Sequence, residues 1–488
     1  MKVARSQWVL RPPWKAALAG AYSKGEGPHG VAVGHECGRR ASQAGLCACL
    51  GVGRREIRGF MRASATLCRL ASLSPMSELN LRMDSPLSRR GVLKGIGMGA
   101  VQAVLGARIA RGNEKIQLPF ENGERELVQY PQKRPLLRLT SRPPQLETPF
   151  SVFNSGVLTP NDAFFVRYHL ADIPLEIDPL AYRLKVSGKV KQPLDLSLSS
   201  LQSGFEPSEV VAVNQCSGNS RGFFNPRVPG GQMGNGAMGN ARWKGVRLKD
   251  LLEKAGVEAG SRQVLFDGLD RPVAAGTPDY IKALSVDQAL DGEVLVAYQM
   301  NGEDLPMLNG YPLRLVVPGH YGTYWVKHLS EITVVDDAYT GFWMGTAYRI
   351  PDTLGACVEP GTAPRTTVPI SRFNVRSFIT SVTAGSVLKA GRQELLRGIA
   401  FDGGAGIREV LVSSDGAQTW RAAALGLDLG RYSFREWQLP LTLARQGPVD
   451  LLVKATNRLG ESQPMEALWN PAGYMRNVVE RTRIEVLA

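Results

Sequence analysis

Cysteine is scarce in this 488-residue chain: six in all, with Cys37, Cys47, Cys49 and Cys68 near the start and only Cys216 and Cys357 beyond. Two widely spaced thiols make no disulfide framework. No Cys-x-x-Cys pair stands in the chain, which argues against zinc or iron–sulfur ligation by a cysteine cluster. Cys-x-x-Cys-His is missing too, so no covalently attached haem is expected. There is no G-x-x-x-x-G-K-[ST] and hence no P-loop. No stretch reaches the ~18 uninterrupted apolar residues of a membrane helix. An acidic excess is also lacking, and the net charge is +14. That charge is local: residues 1–110 hold 17 Lys and Arg against 5 Asp and Glu, leaving 41 against 39 for the rest. The body carries no basic surplus for nucleic acid.

The basic head reads as an address. Ser88-Arg89-Arg90-Gly91-Val92-Leu93-Lys94 is a twin-arginine signal pattern, followed by a mildly apolar Gly/Ala-rich stretch from Ile96 to Ala107. Such a signal implies export of a folded, cofactor-loaded protein to the periplasm, with cleavage expected between Ala107 and Ala110. Residues 1–75 show no sustained period, and a signal at this depth suggests a true start at Met76 or Met83, or else a disordered extension.

The body divides in two. Strand-like runs are expected at Phe164–His169, Ala181–Val186, Gln263–Phe266, Glu293–Tyr298 and Leu313–Val317, with a short amphipathic helix at Leu248–Ala255. Strands and helices mix here without regular alternation, an α+β pattern over residues 120–350. Residues 228–240 are Gly-rich, which suggests backbone lying close to a ligand. From 365 to 488 the pattern becomes short strands between turns. Arg376–Ile379, Glu394–Phe401, Ile407–Ser413, Thr419–Ala424, Arg435–Leu439 and Val449–Thr456 are expected, with turns at Asp402-Gly403-Gly404 and Ser414-Asp415-Gly416. Six or seven such strands make an all-β immunoglobulin-like sandwich.

The most informative run is Val211-Ala-Val-Asn-Gln-Cys216-Ser-Gly-Asn-Ser-Arg221, an apolar strand ending in a polar turn with a lone thiol at its tip. A thiolate beside Arg221 and turn backbone suits a soft metal whose other ligands are not protein. The plain alternative is a small buried Cys at a strand end.

With Gln215–Arg221, the chain resembles the sulfite oxidase family of molybdenum enzymes, and within it the bacterial periplasmic sulfite dehydrogenases. The resemblance runs on through Gly239-Asn240-Ala241-Arg242-Trp243, Asn309-Gly310-Tyr311-Pro312-Leu313-Arg314, Tyr324-Trp325-Val326-Lys327 and Trp469-Asn470-Pro471, and covers residues 120–488. It implies a molybdopterin domain followed by a dimerisation sandwich. It implies that Cys216 is the single protein ligand to molybdenum and that Arg167 and Arg221 bind the oxyanion of sulfite. Phe165, Val166, Arg167, Tyr168 and His169 would line the pterin. Asp270, Asn309, Arg314, Trp325, Val326 and Lys327 would cradle the pterin and its phosphate. In the family's Trp-x-x-x-x-Tyr pattern, here Trp343 to Tyr348, the Tyr lies at the substrate pocket, and Arg476 is a weaker anion contact. Each has a structural alternative: a solvated strand residue for Arg167, a satisfied His for His169, a core Tyr for Tyr348, a turn residue for Asp270. Two positions depart from the vertebrate pattern, with Met233 where a Trp stands and Asn309 where a pterin-binding His stands. With neither a haem motif nor a cytochrome b5-like segment in the sequence, electrons are expected to pass to a c-type cytochrome subunit or soluble cytochrome c. Partners would then be sulfite and that cytochrome, in a homodimer or a heterodimer with a haem subunit, with no nucleic acid and no membrane anchor. An oxygen-using sulfite oxidase and a molybdopterin reductase of oxidised methionine remain the competing activities.

Overall fold

The computed structural model describes residues 114–488. The twin-arginine run and the expected extension 1–75 therefore lie outside the described residues. Among the described residues no helix is long and apolar enough to cross a membrane.

Three sheets build the first domain. A meander of Lys115–Gln117, Glu124–Val128, Leu136–Ser141, Pro144–Glu147 and Val166–Arg167 opens it. A second sheet runs Lys282–Ser285, Gln263–Asp267, Glu331–Val335, Arg183–Gly188, Leu194–Ser197, its Glu331–Val335 and Arg183–Gly188 pair being parallel. The third holds the long antiparallel pair Pro207–Gln215 and Met238–Arg247, continued by Leu295–Met300. Helix Leu248–Ala255 forms as expected. Leu248, Leu251, Leu252 and Ala255 recur on one face and are buried, and Gly256 in the left-handed region ends the helix.

The second domain is two packed sheets. One orders Arg376–Ile379, Gln393–Phe401, Arg435–Thr442, Ala424–Leu425, and the other Val387–Lys389, Glu480–Leu487, Gly447–Asn457, Ile407–Ser413, Arg421–Ala422. Between them lies a core of Leu396, Val410, Trp437, Leu451, Val453 and Ile484. Phe378, Ile399 and Phe401 face the other way and join the first domain's core. One sheet is thus buried on both sides, and the two domains share one continuous packing.

Two expected strands are broken. Of Phe164–His169 only Val166–Arg167 pairs, with Pro144–Glu147; the residues beyond turn toward the site described below. Thr419–Ala424 is two fragments on different sheets. Asp415 takes the Thr419 amide at 3.0 Å and holds the turn, then Arg421–Ala422 pairs with Ile407–Ser413 while Ala424–Leu425 pairs with Arg435–Thr442. Alternation along the chain does not record a switch of sheets. The Gly-rich 228–240 segment is a loop only as far as Ala237, since strand Met238–Arg247 starts inside it.

Candidate active site

Strand Pro207–Gln215 ends at Cys216, whose amide donates to the Ala237 carbonyl at 2.9 Å. The chain turns at once: the Asn219 amide donates to the Cys216 carbonyl at 3.0 Å, and the Asn219 side-chain oxygen accepts from the Ala237 amide at 3.0 Å. The Asn at this spacing pins the thiol's turn to the neighbouring strand. Cys216 is 8 % exposed, and it lies in the wall of two cavities, one deep and one open.

The deep cavity is lined by Phe165, Arg167, His169, Asn309, Arg314, Trp325, Lys327 and Tyr348 among the residues singled out from the sequence. Arg314 is buried between the rings of Trp243 and Trp325, at 5.3 and 5.7 Å, and donates to the Asn309 carbonyl at 3.0 Å. Burial pulls its guanidinium down to about 10. Lys327 donates to the Arg167 carbonyl at 2.7 Å and lies 4.1 Å over the Tyr168 ring. Burial, with Arg314 nearby, pushes its ammonium well below the usual lysine range. Asn309 donates to the Phe165 carbonyl at 3.0 Å and accepts from buried Lys133. Buried Lys133 is itself pulled down to about 7 by desolvation.

Four of the expected residues stand behind this wall rather than in it. Val166 packs with Val128, Leu136 and Leu146, and Val326 lies in the main core. Tyr168 shares a 2.7 Å hydrogen bond with His328. Asp270 is buried, its carboxyl held above the usual range by desolvation although Lys327 opposes this.

The open cavity, about 390 Å³, is lined by Arg167, Cys216, Arg221, Met233, Trp343, Tyr348 and Tyr474, with the Gly-rich segment along one side. Arg221 lies against Gly218 and Gly230. A Cβ at either would come within 2.9 Å of its guanidinium, so those glycines make room for an arginine side chain. Its Nε donates to the Ala472 carbonyl at 3.1 Å. His169 stacks on Tyr280 with ring centroids 3.9 Å apart and shares a hydrogen bond with the Tyr348 hydroxyl. Burial first, and then the charges of Arg167, Lys327 and Lys282, hold its imidazole neutral at physiological pH. Arg476 donates to Glu480 at 2.8 Å and lies over the Phe223 ring, and it lines neither cavity.

Several lining residues carried no signal of their own. Asn214 and Ser217 flank Cys216 and were within reach of the same motif. Tyr280, Thr323 and Tyr474 come from separate segments that only the fold unites. Buried Lys282 was also missed; it donates to the Trp343 carbonyl at 2.5 Å and lies 5.1 Å from the Tyr348 ring.

The chemistry of the deep cavity points to a polar, anionic occupant. Both side-chain atoms of Asn214, Ser217 Oγ and Arg314 Nε are buried there without a hydrogen-bond partner among the described residues. Groups so placed cost stability unless something meets them. Among the described residues no three His, Cys, Asp or Glu side chains converge to hold a metal. A metal at Cys216 would therefore take its other ligands from a bound group, and the donors around the cavity fit a polyfunctional ring system carrying a phosphate.

Family comparison agrees with this chemistry. Residues 170–343 match the oxidoreductase molybdopterin binding domain and residues 367–487 the Mo-co oxidoreductase dimerisation domain. Rat mitochondrial sulfite oxidase is 34% identical over 375 residues, 73% of this chain and 67% of that protein. Chicken sulfite oxidase is 34% identical over 372 residues, 72% of this chain and 78% of that protein. Sulfite oxidase of Arabidopsis thaliana is 30% identical over 76% of this chain and 99% of its own length. The crystal structure of the sulfane dehydrogenase SoxCD of Paracoccus pantotrophus superposes with a TM-score of 0.60 at 22% identity, over 77% of this chain and 90% of that one, a likeness of fold.

Proposed function

Because the chain belongs to the sulfite oxidase family of molybdopterin oxidoreductases, we propose that it oxidises sulfite to sulfate in the periplasm and passes the electrons to a c-type cytochrome. The reaction adds the oxygen of one water to sulfite and releases two protons and two electrons. A bound molybdenum–molybdopterin cofactor would supply, through its metal, oxygen transfer to sulfur and a place for the electron pair. Cys216 would be the single protein ligand to its metal. Asn214, Ser217, Asn309, Arg314 and Lys327 would hold the pterin and its phosphate, with Trp325 at their side and Val166, Tyr168, Asp270 and Val326 supporting them from behind.

The observation that carries this reading is the position of Cys216 between the two cavities. The thiol faces the donors of the deep cavity on one side and two arginines on the other. Arg167 and Arg221 border the open cavity and would take the sulfite oxygens, as guanidinium forks take oxyanions. Tyr348 reaches the same space with its hydroxyl held by His169. A neutral imidazole there gives that hydroxyl a partner for moving a proton between cavity and solvent. Periplasmic residence is supported by the Arg89-Arg90 signal pattern, and a cytochrome acceptor by the absence of a haem-attachment sequence in the chain.

The test is sulfite-dependent reduction of cytochrome c by molybdenum-loaded protein. The wild type should be active and Cys216→Ser inactive. Full molybdenum loading with no sulfite oxidation, even with an artificial acceptor, would contradict the proposal.

A further inference from the structure

Tyr474 was not among the residues marked in the sequence, yet it forms a wall of the open cavity. It lies beyond the sandwich strand Gly447–Asn457, in the connection that leads to Glu480–Leu487. Its ring stacks on Tyr348 with centroids 5.4 Å apart and planes 9° from parallel. Arg221 lies 5.1 Å from the same ring. The connection is built to hold this pose. Asn470 donates to the Tyr474 carbonyl at 2.8 Å and accepts its amide at 3.0 Å. The Met475 amide donates to the Ser217 carbonyl at 3.2 Å, beside Cys216. Gly473 has φ +60, and a Cβ there would meet Val228 at 2.4 Å and the Arg221 side chain at 2.9 Å.

We propose that Tyr474 is a positioning residue for the oxyanion pocket: it presses the Arg221 guanidinium against Gly218 and Gly230 and fixes the plane of Tyr348. The role rests on reading the open cavity as the sulfite pocket. Arg221 has its Nε committed to Ala472, and the Tyr474 ring covers its guanidinium as an aromatic face that favours the cation. A long side chain held in one orientation loses less freedom when it binds an anion. The phenol hydroxyl lies by the Tyr348 backbone amide, but it is the ring face that covers Arg221 and Tyr348, so the ring is the acting group. The sandwich domain therefore completes the substrate pocket of its neighbour.

Steady-state kinetics with sulfite and calorimetric titration with sulfate, on molybdenum-loaded protein, test this. Tyr474→Ala should raise the KM for sulfite roughly tenfold, since Arg221 acts in binding, and lower kcat by a smaller factor, since Tyr348 loses its stacked neighbour. The Kd for sulfate should rise by the same factor, and Tyr474→Phe should restore both to within about twofold. An unchanged KM in Tyr474→Ala would overturn the proposal, as would a Tyr474→Phe variant as impaired as the alanine. Should the alanine variant fail to fold, Tyr474→Leu keeps apolar bulk without a flat face. It should show the raised KM, and wild-type values in it would overturn the role. Sulfate binding that depends on Tyr474 in a protein without sulfite turnover would refute the sulfite reading alone. A wild type that binds no oxyanion would refute both.

Discussion

In the C-terminal domain the fully buried Arg376 meets a carboxylate, Glu480 at 2.7 Å, and Arg476 shares it at 2.8 Å. In the catalytic domain the buried cations Arg314 and Lys282 meet backbone carbonyls and aromatic faces and, among the described residues, no carboxylate. Burying a cation without a counter-ion is costly, and a chain under selection for stability alone would pair it or replace it. The sandwich follows that rule and fills its interior with Leu, Val, Ile and Trp. The catalytic domain departs from it around the two cavities, which marks a site where charge serves a bound anion rather than the fold.

The largest effect expected from this contrast is in the sandwich. Leu451 is fully buried in its core, so Leu451→Ala should cost about 2–5 kcal/mol of stability. The folded fraction should keep the wild-type KM for sulfite. Denaturant unfolding and kinetics on the same sample check this, and a changed KM would mean that the sandwich core, and not only the connection carrying Tyr474, shapes the pocket.

A smaller effect concerns pH. Burial lowers Lys282 to about 7 from its ordinary 10.5. Between these values the unfolded chain binds a proton that the folded chain does not, so stability rises with pH from about 7 to 10.5 and the benefit is absent below 7. The slope is on the order of 1 kcal/mol per pH unit for one such group. Thermal unfolding of Lys282→Met, scanned from pH 7 to 9, should show a flatter rise than the wild type. An equal slope would mean that Lys282 does not titrate in this range.

The contrast also explains what the sequence displayed. Arg376–Ile379 and Ile407–Ser413 were legible to the residue because turn-forming residues bound these short apolar runs. Cys216, Asn219 and Arg221 were legible because one turn carries them all. Tyr474 and Lys282 were not, since 258 and 66 positions separate them from Cys216 and neither sits in a motif. A residue that works by packing on another segment leaves no local pattern, and an unpaired buried lysine looks like any other lysine until its surroundings are seen.

The claim that the deep cavity's unpaired cations exist to hold an anionic cofactor is tested most directly by the molybdenum content per chain of Arg314→Met. Retention should fall at least about tenfold while the cofactor-free protein stays as stable as the wild type or more so, because methionine removes a buried charge. Full molybdenum content in that variant would contradict it.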